Sequence, residues 1–243
     1  MLLVVLGGLL AGFVLGLTGS NFGLVAMAFW TWALEPMVMA PLIVCASIAG
    51  HVLAAGRLPW RRVRQWLLPL LAGGLIGTPV GVWLLHVIDR QHFTLGVGML
   101  LTLWCSLMLL APRLPHITWG GRRATAAVGV VGGLLGGLGG IPGPAPALWA
   151  VLKGWDRDTQ RTVVQGFNLA IQIATLVVML GAGTLTSEVV SLLPWVLVCV
   201  VPAALAGMWL YRRLSDVTFT RTVLGLLALS GVILVALSLA QLP

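Results

Sequence analysis

One stretch of the sequence carries polar side chains on a single helical face within a long apolar run. Gln165, Asn168, Gln172 and Thr175 follow one another at intervals of three, four and three residues, which places them on one stripe of an α-helix. Amides in a membrane must face a partner or water and often mark a pathway, although plain interhelical hydrogen bonding is the alternative. The stripe predicts substrate-binding side chains at Gln165, Asn168 and Gln172.

Two long apolar segments are interrupted by residue types that end helices. Each interruption is rich in glycine, with Asn21 in the first and Pro142 and Pro144 in the second. Non-helical backbone survives at membrane depth only where protein or a water-filled cavity satisfies its polar groups. A helix that begins after such a break directs free N–H groups and a partial positive charge at the cavity, which favours an anion. Tight packing of glycines between helices is the alternative. The binding residues predicted at the breaks are Ser20, Asn21, Gly139, Gly140 and Gly143.

The two interruptions belong to an internal duplication. A shift of 121 residues places Gly16 on Gly137, and a later shift of 126 places Gly81 on Gly207. Internal repeats of this kind are the usual plan of secondary transporters. The chain is therefore expected to contain two related halves.

The duplication also matches the polar stripe with side chains in the first half. The shift of 121 places Ser47 on Asn168 and His51 on Gln172, so we predict that Ser47 and His51 bind substrate as well. His51 is the one titratable residue on that stripe. Because an imidazole titrates near neutral pH, His51 would be able to couple transport to protons. A histidine satisfied by its surroundings is the alternative.

The composition requires that a membrane surround these residues. Of the 243 residues, 59% are apolar and 8% are charged, whereas soluble domains carry about 25% charged residues. The net charge of +8 lies in short loops, where it sets orientation and does not indicate nucleic-acid binding. Apolar segments of spanning length are predicted at 2–34, 37–56, 65–88, 92–111, 124–152, 160–183, 189–211 and 217–240.

Orientation follows from the loops, since cytoplasmic loops are enriched in Lys and Arg. If every segment crossed the membrane once, then in the second half of the chain a loop rich in basic residues would lie on the same side of the membrane as a loop poor in them. The conflict disappears if segments 2–34 and 124–152 each enter the membrane, turn at the break and return. We therefore predict an all-α polytopic membrane protein with two tandem repeats of inverted topology, 1–115 and 116–243. Each repeat has a broken, re-entrant first segment followed by three transmembrane helices, and both termini lie outside the cytoplasm.

The sequence carries no signature of an intramembrane enzyme. It has no HExxH metal pair, no Gly-x-Gly-Asp aspartyl motif and no plausible Ser/His dyad within a span. Cys45, Cys105 and Cys199 stand singly in apolar runs, so they do not indicate a metal or redox pair. We predict no catalytic residue, no metal site and no cofactor.

The glycine patterns of the two breaks resemble those of a known family. Gly12-x-x-x-Gly16-x-x-Gly19 opens the first half, and a glycine-rich run over 133–144 opens the second. Together with the repeat spacing and the size, these motifs resemble the TauE/SafE sulfite exporter family over nearly the whole chain. The resemblance implies a permease of bacterial or archaeal plasma membranes for small sulfur-containing or organic anions, such as sulfite, sulfonates and sulfoacetate.

The first break departs from that family's pattern. Ser20, Asn21 and Phe22 stand where the family has a run of glycines, so we expect the affinity or the size of the substrate to differ from that of the family. We predict a multi-pass secondary transporter for a small anion in a bacterial or archaeal inner membrane. An anion channel and a non-catalytic membrane assembly protein are the alternatives. Small residues on exposed faces would permit a homodimer.

Overall fold

In the computed structural model, every regular element of the described residues is helical. The description covers residues 2–55, 60–110, 116–211, 227–228, 231–232 and 234–236. The helices are α1 (Leu2–Thr18), α2 (Phe22–Trp30), α3 (Pro36–Ala55), α4 (Trp60–Val87), α5 (Arg90–Leu110), α6 (Arg122–Gly139), α7 (Pro144–Leu152), α8 (Arg157–Gly181) and α9 (Ser187–Tyr211). Most of the predicted segment 217–240 lies outside the described residues, although 227–228, 231–232 and 234–236 are helical.

Both long first segments are broken where the sequence predicts it. In the first break Gly19 and Asn21 have φ angles of 73° and 69°, so the chain leaves the helix through left-handed backbone. In the second, Gly140 has a φ of 69° and its N–H donates to the carbonyl of Gly136 over 2.8 Å, as a glycine at a helix C-terminus does. Pro144 then occupies the start of α7, where a missing N–H costs nothing. Each segment therefore becomes one long and one short helix.

The short helix of each pair returns to the beginning of the long one. The indole Nε1 of Trp30, the last residue of α2, donates to the carbonyl of Val4 over 3.0 Å. In the second half, Nε1 of Trp149 near the end of α7 donates to the hydroxyl of Thr125 over 3.2 Å. Helices α1 and α2 thus form one hairpin, and α6 and α7 form another.

Close contacts join the two halves of the chain. Helix α1 lies along α9, and α6 lies along α4. A Cβ on Gly16 would overlap the carbonyl of Ala204, and one on Gly137 would overlap the carbonyl of Thr78. Glycine at these positions lets the two backbones touch, as small residues do between membrane helices.

Within the described residues, five helices are long and apolar enough to cross a membrane. The candidate spans are Pro36–Leu53, Val63–Val87, Arg90–Leu110, Asp158–Gly181 and Ser187–Leu210. In α3 that span is 67% buried inside the protein, whereas in α9 it is only 22% buried. Helix α3 therefore lies centrally, in contact with α8, and α9 lies outside it. The prediction of an all-helical polytopic membrane protein is therefore confirmed, whereas the inverted relation of the two repeats stays a prediction.

Candidate functional site

A small cavity lies where the two hairpin tips meet α3 and α8. Its volume is about 20 Å³, slightly more than the roughly 10 to 15 Å³ that holds one water molecule. The cavity is lined by Asn21, Phe22, Gly23, Leu24, Ser47, His51, Gly140, Ile141, Pro142, Gly143, Pro144, Asn168 and Gln172. It therefore has dimensions suited to a ligand of few atoms.

Four polar side chains enter the cavity from the two central helices. Ser47 and His51 come from α3, Asn168 and Gln172 come from α8, and each is at most 3% exposed. Nδ1 of His51, Oδ1 of Asn168 and Oε1 of Gln172 have no hydrogen-bond partner among the described residues. Buried polar atoms are almost always paired, so these atoms mark a place for water or a ligand.

Two of these side chains also bind the protein itself. The hydroxyl of Ser47 donates to the carbonyl of Val44 over 3.0 Å. Nε2 of Gln172 donates to the carbonyl of Gly140 over 2.7 Å, which ties α8 to the tip of the second hairpin. The cavity wall is thus held in place by the same residues that face the cavity.

The start of α2 supplies backbone donors to the cavity. Phe22, Gly23 and Leu24 are the first residues of the helix, so their N–H groups have no intrahelical acceptor. No side chain caps this end, and the first intrahelical bond runs from Val25 N–H to the carbonyl of Asn21, over 3.2 Å. Free N–H groups and the helix dipole together favour an anion.

The start of α7 is poorer in donors. Pro144 and Pro146 have no N–H, so Ala145 is the one residue in the first turn with a free N–H group. The first intrahelical bond here runs from Ala147 to the carbonyl of Gly143, over 3.0 Å. An anion in the cavity therefore meets more backbone donors at α2 than at α7.

Gly143 permits a close approach between its backbone and Asn168. A Cβ at Gly143 would lie 3.0 Å from Nδ2 and 3.2 Å from Oδ1 of Asn168. Because both residues line the cavity, a side chain at this position would compete with the amide for the space.

Most of the predicted site residues are brought together by the fold. Those that line the cavity are Asn21, Ser47, His51, Gly140, Gly143, Asn168 and Gln172. Three others lie nearby but outside it. Gly139 borders a second, apolar cavity with Met27, and Gln165 lies against Gly19. The carbonyl of Ser20 accepts a hydrogen bond of 2.8 Å from the hydroxyl of Thr18.

Several lining residues are not among those singled out from the sequence. They are Phe22, Gly23, Leu24, Ile141, Pro142 and Pro144. All of them flank the two breaks, so the predicted change from loop to helix is the signal that identifies them. Their contribution is backbone and shape, which residue type alone does not reveal.

Among the described residues that line the cavity there is no carboxylate, lysine or arginine, and His51 is the one titratable side chain. Within the part of the chain that the structure describes, no three His, Cys, Asp or Glu side chains are placed to hold a metal ion. The site can therefore offer hydrogen bonds and dipoles but no formal positive charge from lysine or arginine.

Charged side chains outside the spans stabilise loops and helix ends. Arg90 at the start of α5 pairs with Glu35 in the α2–α3 loop. Asp156 caps α8 by accepting from Thr159 N–H over 3.0 Å, and this hydrogen bond lowers the pKa of Asp156. In the same way, the hydrogen bonds from His92 lower the pKa of Asp89. Of these groups, Glu35 and Asp156 directly precede α3 and α8, the helices that carry the polar side chains of the cavity.

Comparison with known proteins places this architecture in a family. Residues 4–234 match the description "Sulfite exporter TauE/SafE". Searches of curated proteins and of solved structures found no match. The family match spans both hairpins and all the cavity residues, which agrees with the resemblance seen in the glycine patterns. The chain is therefore a multi-pass membrane protein of a transporter family, and it belongs to the sulfite exporter TauE/SafE family.

Proposed function

We propose that the protein is a secondary transporter that binds a small anion in the cavity between the two hairpin tips. The observation that carries the proposal is the convergence of free N–H groups from α2 with the buried polar side chains Asn168 and His51. No acidic side chain is among the described residues that line this cavity, so none of them repels an anion. Among sulfite, short sulfonates and sulfoacetate, the small volume of the cavity favours sulfite, which has the fewest atoms.

We further propose that the two halves are inverted repeats. Contacts between the halves support this, because they repeat under the shifts found in the sequence. Gly16 of the first half contacts Ala204 of the second half. The shift of 121 relates Gly16 to Gly137, and the shift of 126 relates Ala204 to Thr78. Gly137 and Thr78 are also in contact. An exchange of partners between two halves is what a two-fold axis produces, and transporters commonly use such an axis in the membrane plane.

The proposed topology places each hairpin on one side of the membrane as a re-entrant pair. The return of Trp30 to Val4 and of Trp149 to Thr125 supports it. With both termini outside the cytoplasm of a bacterial or archaeal cell, a C-terminal alkaline phosphatase fusion should be active. An inactive fusion together with an active cytoplasmic reporter would refute this topology.

The cavity offers one place for proton coupling. His51 is its titratable side chain, and its Nδ1 has no partner among the described residues. We propose that any proton moved with the anion passes through this imidazole.

Exchange of labelled anion in proteoliposomes tests the function. A transporter preloaded with unlabelled sulfite or sulfoacetate should take up the labelled anion by counterflow, and Asn168→Ala and Asn21→Ala should weaken this uptake. A channel would instead conduct without dependence on the preloaded substrate. If no small anion were exchanged and the variants behaved as the wild type, the transporter proposal would fail.

A further inference from the structure

Gln165 is a buried amide that the central cavity does not use. It is 3% exposed, and neither Nε2 nor Oε1 has a hydrogen-bond partner among the described residues. A Cβ at Gly19 would lie 2.8 Å from Nε2, so the amide reaches the turn at the tip of the first hairpin. Two unpaired polar atoms at one buried position require water or a polar ligand beside them.

A guanidinium group converges on the same turn. Arg161 precedes Gln165 by four residues on α8, so the two side chains share one face of the helix. Nε of Arg161 would lie 3.3 Å from the same Cβ at Gly19. Arg161 is half-buried, between the surface at the start of α8 and the buried Gln165. An arginine fork and an amide N–H are donors that oxoanions accept well.

The corresponding place in the other half is apolar. The shift of 121 that relates Gly19 to Gly140 relates Gln165 to Val44. A Cβ at Gly140 would lie 3.1 Å from Cγ2 of Val44 and 2.8 Å from Cγ2 of Ile43. The position beside Gly19 therefore holds an amide and a guanidinium, whereas the corresponding position beside Gly140 is aliphatic.

The apolar side continues into a second cavity of about 50 Å³. Met27, Leu138 and Gly139 are among its lining residues. Ile141 lines both this cavity and the central one, so its side chain stands between them. Apart from His92, the side chains that line this cavity are apolar, so an anion leaving the central cavity in this direction would lose most of its hydrogen-bonding partners.

We infer that Gln165 and Arg161, packed against Gly19, form a second binding step for a small oxoanion, between the central cavity and the membrane face where α8 begins. The anion passes from Arg161 to Gln165 and then to Asn168, which lies three residues further along α8. On the opposite side, Ile141 and Val44 close the route. The inference rests on the proposed anion transport. It assigns a polar access path to the tip of the first hairpin at Gly19, and it assigns none to the tip of the second hairpin at Gly140.

The test uses Gln165→Leu and Gln165→Glu in the full chain, with Thr175→Val as the control. Thr175 lies on the same stripe of α8, is fully buried, and has an unpartnered hydroxyl, but it does not line the cavity. Two quantities are measured for each: the Kd for sulfite in detergent, and the rate of sulfite exchange in proteoliposomes at saturating sulfite. The melting temperature reports folding.

We expect Gln165→Leu to exchange sulfite at least tenfold more slowly than the wild type, with Kd within about twofold. Its melting temperature should not fall, because two unpaired polar atoms are removed. Gln165→Glu, which has the same size and a negative charge, should slow exchange at least as much. Thr175→Val should leave both Kd and exchange rate unchanged.

Wild-type exchange in Gln165→Leu would overturn the second step while leaving the central site intact. An equal loss of affinity and of exchange would also overturn it, because Gln165 would then belong to the central site. If Gln165→Leu does not fold, wild-type exchange in Gln165→Glu decides against the inference. Failure of the central site is seen separately, as an unchanged Kd for sulfite in Asn168→Ala.

Discussion

The side-chain amide of Gln172 donates a hydrogen bond of 2.7 Å to the main-chain carbonyl of Gly140. Gly140 ends the long helix of the second hairpin, and Gln172 lies in the middle of α8. The bond fixes the orientation of the amide, since a carbonyl oxygen can only accept, and it leaves Oε1 unpaired. An unpaired acceptor beside free N–H groups suits a ligand that carries a proton, or a water molecule held beside the anion.

Loss of this bond should destabilise the hairpin tip. We expect Gln172→Leu to lower the free energy of unfolding by about 1 to 3 kcal/mol, since the Gly140 carbonyl would be left buried and unpaired. Thermal unfolding in detergent measures the change. Thr175→Val serves as the control, because the hydroxyl of Thr175 makes no hydrogen bond in the described part of the chain. Equal melting temperatures for the two variants would show that the bond contributes nothing.

A single methyl group at Gly143 should block the site. Gly143→Ala would place its Cβ 3.0 Å from Nδ2 of Asn168, so we expect sulfite affinity to fall about tenfold, a change of about 1.4 kcal/mol. Gly96→Ala is the matched control, because a Cβ at Gly96 meets nothing within 4 Å. Titration calorimetry gives both Kd values. Equal affinities in the two variants would place the anion elsewhere.

The pH dependence of exchange should disappear with His51 if protons are carried through the cavity. His51→Gln keeps a polar side chain but cannot titrate, so its exchange rate should be flat between about pH 5 and 8, where imidazoles change charge. His116→Gln, a change in the exposed loop before α6, should retain the wild-type profile. A His51→Gln profile that follows the wild type would remove His51 from any coupling.

The hairpin fold depends on the bond between Trp30 and Val4. Trp30 is fully buried, and Trp30→Phe removes its 3.0 Å bond while keeping an aromatic ring. We expect a loss of roughly 1 to 3 kcal/mol in the free energy of unfolding, because the Val4 carbonyl loses its partner. Trp32→Phe is the control, since Trp32 is 45% exposed. If both variants melted at the same temperature, this bond would not hold the hairpin closed.

Much of the helical pattern could be read from the sequence because apolar length and helix-ending residues act locally. The segments predicted at 37–56 and 92–111 appear as Pro36–Ala55 and Arg90–Leu110. The break near Asn21 was predicted from residue types that leave helices, and the backbone there is left-handed. The segment predicted to begin at 65 begins at Trp60 in the structure. The prediction excluded the first turns because they contain three arginines, but charged residues are compatible with a helix outside its apolar part.

The site was harder to predict because it depends on the depth at which separate elements meet. The periodicity of α8 places Gln165 and Asn168 on one stripe, but it does not say which of them lies opposite the hairpin tips. In the structure Asn168 lines the cavity, whereas Gln165 lies against Gly19. The backbone donors of Phe22 and Gly23 carry no side-chain signal at all, so only the position of the break reveals them.

The measurement that tests the central claim most directly is the Kd of sulfite for Asn168→Asp. This variant keeps the size of the side chain but introduces a carboxylate into a cavity whose described lining includes no Asp, Glu, Lys or Arg. An anion bound there should lose at least tenfold in affinity by charge repulsion, while the Thr175→Val control binds as the wild type does. Unchanged sulfite affinity in a folded Asn168→Asp protein would contradict an anion site between the two hairpin tips.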